Sequence, residues 1–155
     1  MKNSEKKIIL VPHCLMTKGF CAPRNRYNTE EVLKVLFDFK IGIVQMPCPH
    51  LYFLMNENDT KKTGTPHCSD FMNRIKKKDP EHLYAGIINP LLDQIENYRR
   101  LNFEIAGLIG IKGSPVCGIF NAMAKDYGSF INILNEKLTL KGIKLKTAVI
   151  GQKNN

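Results

Sequence analysis

The sequence predicts a three-layer α/β/α sandwich on a parallel, flavodoxin- or Rossmann-like sheet of about four strands, as a single domain over residues 1–155. Two observations carry this. Four short apolar runs, at residues 6–12, 41–46, 104–111 and 145–150, read as buried strands. Between them lie stretches with apolar residues at helical spacing, so strand and helix alternate along the chain. That alternation calls for parallel pairing through right-handed crossovers, with helices on both faces of the sheet. The composition agrees: 43% hydrophobic and 24% charged residues in 155 are enough for one core.

Residues 6–12 (KKIILVP) form the first strand. Asn28 or Thr29 then caps a helix, with Val32, Leu33, Val35, Leu36 and Phe39 on its apolar face, ending near Lys40. The second strand, 41–46 (IGIVQM), stops at Pro47 and Pro49. Residues 56–80 are polar and turn-rich, a loop or lid in which 69–78 has the pattern of a short helix. A longer helix starts at Pro80-Glu81 and runs to about Leu101, and Pro90 should kink or divide it. The third strand is 104–111 (EIAGLIGI), where Gly107 and Gly110 allow close packing. These glycines mimic part of a dinucleotide fingerprint, yet they lie inside the strand and not after it. Residues 128–140 are the last helix, ended near Gly142, and 145–150 the last strand.

A formal charge of +9 favours anionic partners, nucleotides or RNA among them. A lysine-rich solvated surface explains the same charge, since most of it is scattered. The basic start MKNSEKK precedes an apolar run of only Ile8 to Val11, too short for a signal-peptide core. No run reaches the roughly 18 apolar residues of a membrane span. These features predict a cytoplasmic protein without a membrane partner. Five cysteines, an odd number in a chain of this length, argue against a disulfide scaffold. In a reducing compartment their expected uses are thiol chemistry and metal binding.

Three of those cysteines follow predicted strands: Cys14 in VPHC, Cys48 in MPCPH and Cys117 in KGSPVCG. In an open α/β sheet the carboxyl ends of the strands meet along one edge, so residues far apart in sequence converge there. Three thiolates on such an edge point to a metal or iron–sulfur site. The spacing carries no CxxC signature, and the competing reading is three small buried hydrophobes. Pro and Gly around Cys48 and Cys117 would hold a thiolate rigidly. Gly118 precedes a candidate helix start, whose N–H groups would favour a thiolate at Cys117.

Other residues near the site are less specific. Cys21 and Cys68 lie in loops, Cys68 beside His67. Strand alternation would turn His13 away from Cys14. His50, two residues past Cys48, can face the site as ligand, proton shuttle or substrate contact. Asn121, past Gly118, is a weaker polar candidate.

The order VxxCL, PCPx and KxSPxCG, each motif at a strand exit, resembles the thiouracil desulfurase family, and within it the desulfidase branch of small bacterial α/β proteins. The likeness spans residues 7–150. It implies a 4Fe-4S cluster held by Cys14, Cys48 and Cys117, with one iron open to a substrate's sulfur. The implied chemistry is non-redox removal of sulfur from a thiocarbonyl of a small thiolated molecule. Water attacks the carbon, and the oxo compound and hydrosulfide leave. Relatives usually carry Glu after Cys-Pro, as a candidate acid/base; here His50 stands in that place and can still move protons. Ser114 matches the family serine near the third cysteine, placed to bond substrate or water.

Two other readings compete, the first on the same residues. A non-catalytic zinc module would close a tetrahedron with the three cysteines and His50 or His67. A basic nucleotide- or RNA-binding protein rests on charge alone, since the chain has no Trp and no recognised RNA motif.

Overall fold

The computed structural model describes residues 6–17, 29–56, 79–121, 123 and 126–150. The expected lid over 56–80, the helix over 69–78, and Asn28, Cys21, His67 and Cys68 lie outside the described residues, except for the ends of the lid range.

Four strands form the main sheet: β1 (Lys7–Val11), β2 (Gly42–Gln45), β3 (Glu104–Ile111) and β6 (Thr147–Ile150), in the order β2-β1-β3-β6. All three pairings are parallel, as the alternation predicts. Two short strands, β4 (Ile119–Asn121) and β5 (Asp126–Tyr127), pair antiparallel beside the sheet. Sequence reading gave no warning of them, because runs of three and two residues carry no period.

Each main strand sends alternate residues to opposite faces, and a separate core covers each face. On one face Ile8, Leu10, Val44 and Leu108 pack against α4 (Pro80–Arg100) and α5 (Ser129–Leu140). On the other, Ile9, Val11, Ile43, Ile109 and Ile111 meet Val32 and Leu36 of α2 (Thr29–Asp38) and Leu15 of α1 (His13–Met16). Strand residues buried on both sides are what a parallel sheet between helix layers requires. The three-layer α/β sandwich is therefore the observed fold class.

Of the kink or division expected at Pro90, division does not occur: α4 runs unbroken for 21 residues. A proline inside a helix costs about 3 kcal/mol or more. Here the buried stripe of Tyr84, Ile87, Ile88, Leu91, Leu92 and Ile95 continues on both sides of it. At about 1.5–3 kcal/mol per large apolar side chain, that burial outweighs one missing backbone bond.

Every helix that leads back into the sheet ends in the same way. Ile41 N–H bonds the Leu36 carbonyl, Phe103 N–H that of Tyr98, and Ile143 N–H that of Leu138, each at 2.9 Å. The residue before each strand-side donor takes a left-handed φ: Lys40 at 54°, Asn102 at 63° and Gly142 at 75°. This is the Schellman motif, which satisfies terminal carbonyls and packs an apolar pair across the stop. At α4 that pair is aromatic: Tyr98 and Phe103 meet edge to face at 5.1 Å.

Candidate functional site

The chain runs outward through β1 to β2, then crosses to β3 on the other side of β1 and on to β6. The direction of winding reverses between β1 and β3, so the crevice at their carboxyl ends is the switch point where such sheets bind ligands. Cys14 follows β1, Cys117 follows β3, and Cys48 follows the adjoining β2. The three sequence-predicted cysteines thus stand at three neighbouring strand exits. All are thiols and not half-cystines; Cys48 and Cys117 are buried and Cys14 is half-buried.

The exits are built differently. After β1, buried Pro12 opens the single turn α1. Leu15 N–H bonds the Pro12 carbonyl at 3.1 Å, and its fully buried side chain anchors the turn. Cys14 is carried on that turn. Strand alternation therefore does not govern His13, contrary to expectation. His13 Nδ1 lies 2.7 Å from Gln45 Nε2 at the end of β2, tying two exits together.

After β2, Cys48 is the N-cap of α3 (Pro49–Asn56): its carbonyl accepts the Tyr52 N–H at 3.0 Å. Pro49 fills the first helical position, where a missing N–H costs nothing. The sequence signal for this helix was present in Pro49 and the apolar run after it, but two prolines flanking a cysteine read first as a stop. His50 sits in the first turn of α3, buried at 6% exposure.

After β3, the loop from Gly113 to Gly118 folds on itself. Gly113 takes a φ of +78°, open to glycine at no cost. Ser114 Oγ then accepts the Cys117 N–H at 3.0 Å and the Val116 N–H at 3.3 Å. Ser114 thus positions Cys117 through its oxygen, and neither bond uses its own O–H as a donor. Gly118 is followed by β4 and not by a helix, which corrects the expected helix start there. Its glycine has another cause: a Cβ at 118 would lie 2.1 Å from the Ser114 carbonyl oxygen. The loop is strapped to α5, where Ser129 N–H bonds Pro115 O at 2.9 Å and Phe130 N–H bonds Val116 O at 3.1 Å. Asn121, the weaker polar candidate, is exposed on β4.

A cluster with three cysteine ligands needs soft thiolate donors from separate elements facing one crevice. The donor set fits that need in kind and in its place on the sheet. Among the described residues, no group of three or more His, Cys, Asp or Glu could hold a metal ion. A single zinc ion draws its ligands to one point, with sulfur at about 2.3 Å. A cluster takes each thiolate on a separate iron, so its ligands stand apart.

The fold and this edge define the class: a doubly wound α/β protein with a cysteine after each of three neighbouring strands at its switch point. Over 120 residues the chain is 26% identical to an uncharacterised protein of Methanocaldococcus jannaschii, covering 74% of this chain and 69% of that one. No family model matches the chain, and no solved structure is significantly similar to it. Among the described residues, no helix is long and apolar enough to cross a membrane.

Proposed function

We propose that the protein is a cytoplasmic desulfidase that exchanges the sulfur of a small thiocarbonyl compound for oxygen. The observation that carries this reading is the placement of Cys14, Cys48 and Cys117 at three adjoining parallel-strand exits around the switch point. Three thiolates there, with no carboxylate set beside them in the motifs, suit a 4Fe-4S cluster. When bound, such a cluster supplies an iron without a protein ligand, a Lewis acid with affinity for sulfur.

The chain's own residues divide the remaining work. Ser114 fixes the amide of Cys117 and with it the direction of that thiolate. Proline on both sides of Cys48 limits backbone movement at the second ligand. Buried Met46, Leu15 and Val116 flank the three cysteines and restrict water around them. His50, where relatives carry an acid, holds or delivers the proton: it takes one from the attacking water, then passes one on as hydrosulfide leaves. The net change balances without electrons, since a thiocarbonyl and water give a carbonyl and hydrosulfide.

Anaerobic reconstitution with iron and sulfide tests the reading. The expected product is brown, holds about four irons per chain, and releases hydrosulfide from 2-thiouracil or a related thioamide. Stoichiometric zinc without iron under strict anaerobiosis would instead support the closed zinc module.

A further inference from the structure

We infer that Tyr84 and Ser129 are positioning residues for Cys117, acting through the first turn of α5. That the thiol they hold serves chemistry rests on the desulfidase reading above; that they hold it does not.

The hold on Cys117 begins in the backbone. Its N–H donates to Ser114 Oγ, and its carbonyl accepts the Ile111 N–H at 2.9 Å. The residues on either side are held by the start of α5. Ser129 N–H bonds the Pro115 carbonyl, Phe130 N–H the Val116 carbonyl, and Gly128 N–H the Gly118 carbonyl at 2.8 Å. The fit is close: a Cβ at Gly128 would stand 2.5 Å from the Val116 oxygen and 2.8 Å from the Gly118 nitrogen. The first amides of a helix find no acceptor within it. Here the cysteine loop supplies the acceptors, so a displacement of the turn passes directly to Cys117.

Tyr84 of α4 fixes that turn. It is fully buried. Its hydroxyl lies 2.7 Å from Ser129 Oγ, and its ring meets Phe130 edge to face at 5.6 Å. Tyr84 thus touches the same two residues whose amides hold the carbonyls ahead of Cys117. Neither helix needs its hydroxyl for itself. The N-cap of α5 is Gly128, so Ser129 stands one position past the place where a serine caps. On the buried stripe of α4, phenylalanine would fill the same apolar space. A phenol placed in a core takes a polar partner, and this one joins residues 45 apart in the chain.

The test is native-state labelling of the full chain with iodoacetamide, read cysteine by cysteine by mass spectrometry. Cys48 is buried to the same degree as Cys117, at 7% against 8% exposure, and is the internal control. Tyr84→Phe keeps the ring against Phe130 and loses only the hydroxyl. In it Cys117 should label about fivefold faster, the scale of one hydrogen bond, and Cys48 at the wild-type rate. Ser129→Ala should do the same, and the double variant no more than either single one. Ser129→Thr keeps the oxygen and should restore the wild-type rate. Ile95→Val, in the core further along α4, lowers stability without touching the turn and should speed both thiols alike. After anaerobic reconstitution, Tyr84→Phe should also give up iron to a chelator about fivefold faster. The inference is overturned if Cys117 of Tyr84→Phe labels as wild type does, if Cys48 gains as much there, or if Ser129→Thr behaves like Ser129→Ala. Labelling is read without iron or turnover. Faster labelling of Cys117 in a chain that binds no iron keeps the inference and loses the desulfidase reading; iron binding and sulfide release with labelling unchanged does the opposite.

Discussion

The two edges of the sheet are built on opposite plans. On the incoming edge, three helices enter three strands through one repeated device: a left-handed residue, a 2.9 Å bond back to the helix, and an apolar pair. On the outgoing edge the three joints that carry cysteine share nothing. One is a single helical turn, one a capped helix start, and one a loop folded around a serine and two glycines. Repetition marks the joints whose only task is to reverse the chain. The joints that differ each hold a thiol in a particular place. Function should therefore be sensitive on one edge, and stability alone on the other.

The largest expected effect breaks the outgoing edge directly. Cys14→Ala, Cys48→Ala or Cys117→Ala should each abolish retention of iron after anaerobic reconstitution, read by elemental analysis and visible absorbance. Each should leave far-UV circular dichroism unchanged and cost about 1 kcal/mol or less, since a buried thiol contributes little more than a small hydrophobe. Full retention of iron in all three variants would remove the functional side of the contrast.

The incoming edge was largely legible in the sequence, and the outgoing edge was not. The strands at 7–11, 42–45, 104–111 and 147–150 fall within or on the runs predicted for them, because burial on both faces makes near-continuous apolar runs. The stop near Gly142 was equally visible, since glycine announces a left-handed residue. The stops near Lys40 and Leu101 were placed as well, and asparagine suits a left-handed stop, whereas lysine gives no sign of that conformation. On the other edge the cysteines could be placed, but not their supports. The single turn at His13–Met16 is too short for a period, and the bond between His13 and Gln45 spans 32 residues. Ser114 could be placed by its motif, but its residue type gives no sign that its oxygen also accepts two backbone amides.

Ser114→Ala sharpens the comparison with an intermediate effect. It removes the acceptor for the Val116 and Cys117 amides in a part-buried loop. Leaving such donors unsatisfied costs about 1–3 kcal/mol. Stability should fall by that order in urea melts, and the reconstituted protein should lose iron faster than wild type. Ser114→Thr, which keeps the oxygen, should recover most of both. If Ser114→Ala keeps its iron as long as wild type while losing stability, the loop is a structural joint like those opposite.

The smallest effects belong to the incoming edge, where two substitutions of opposite sign test whether it carries stability alone. Lys40 holds a φ of 54° that costs an L-residue roughly 1 kcal/mol. Lys40→Gly relieves this, but glycine loses more freedom on folding and the helix end loses a favourable cation. The net gain should be about 0.5 kcal/mol. Gly142→Ala is the converse, and a clean one, because a Cβ there meets nothing within 4 Å and only the backbone at φ +75° is strained. It should cost about 1 kcal/mol. Both variants should reconstitute with the same iron content and release sulfide at the wild-type rate. A change in either would mean that the repeated joints reach the cysteine edge through the strands they start, and that the separation of the two edges fails.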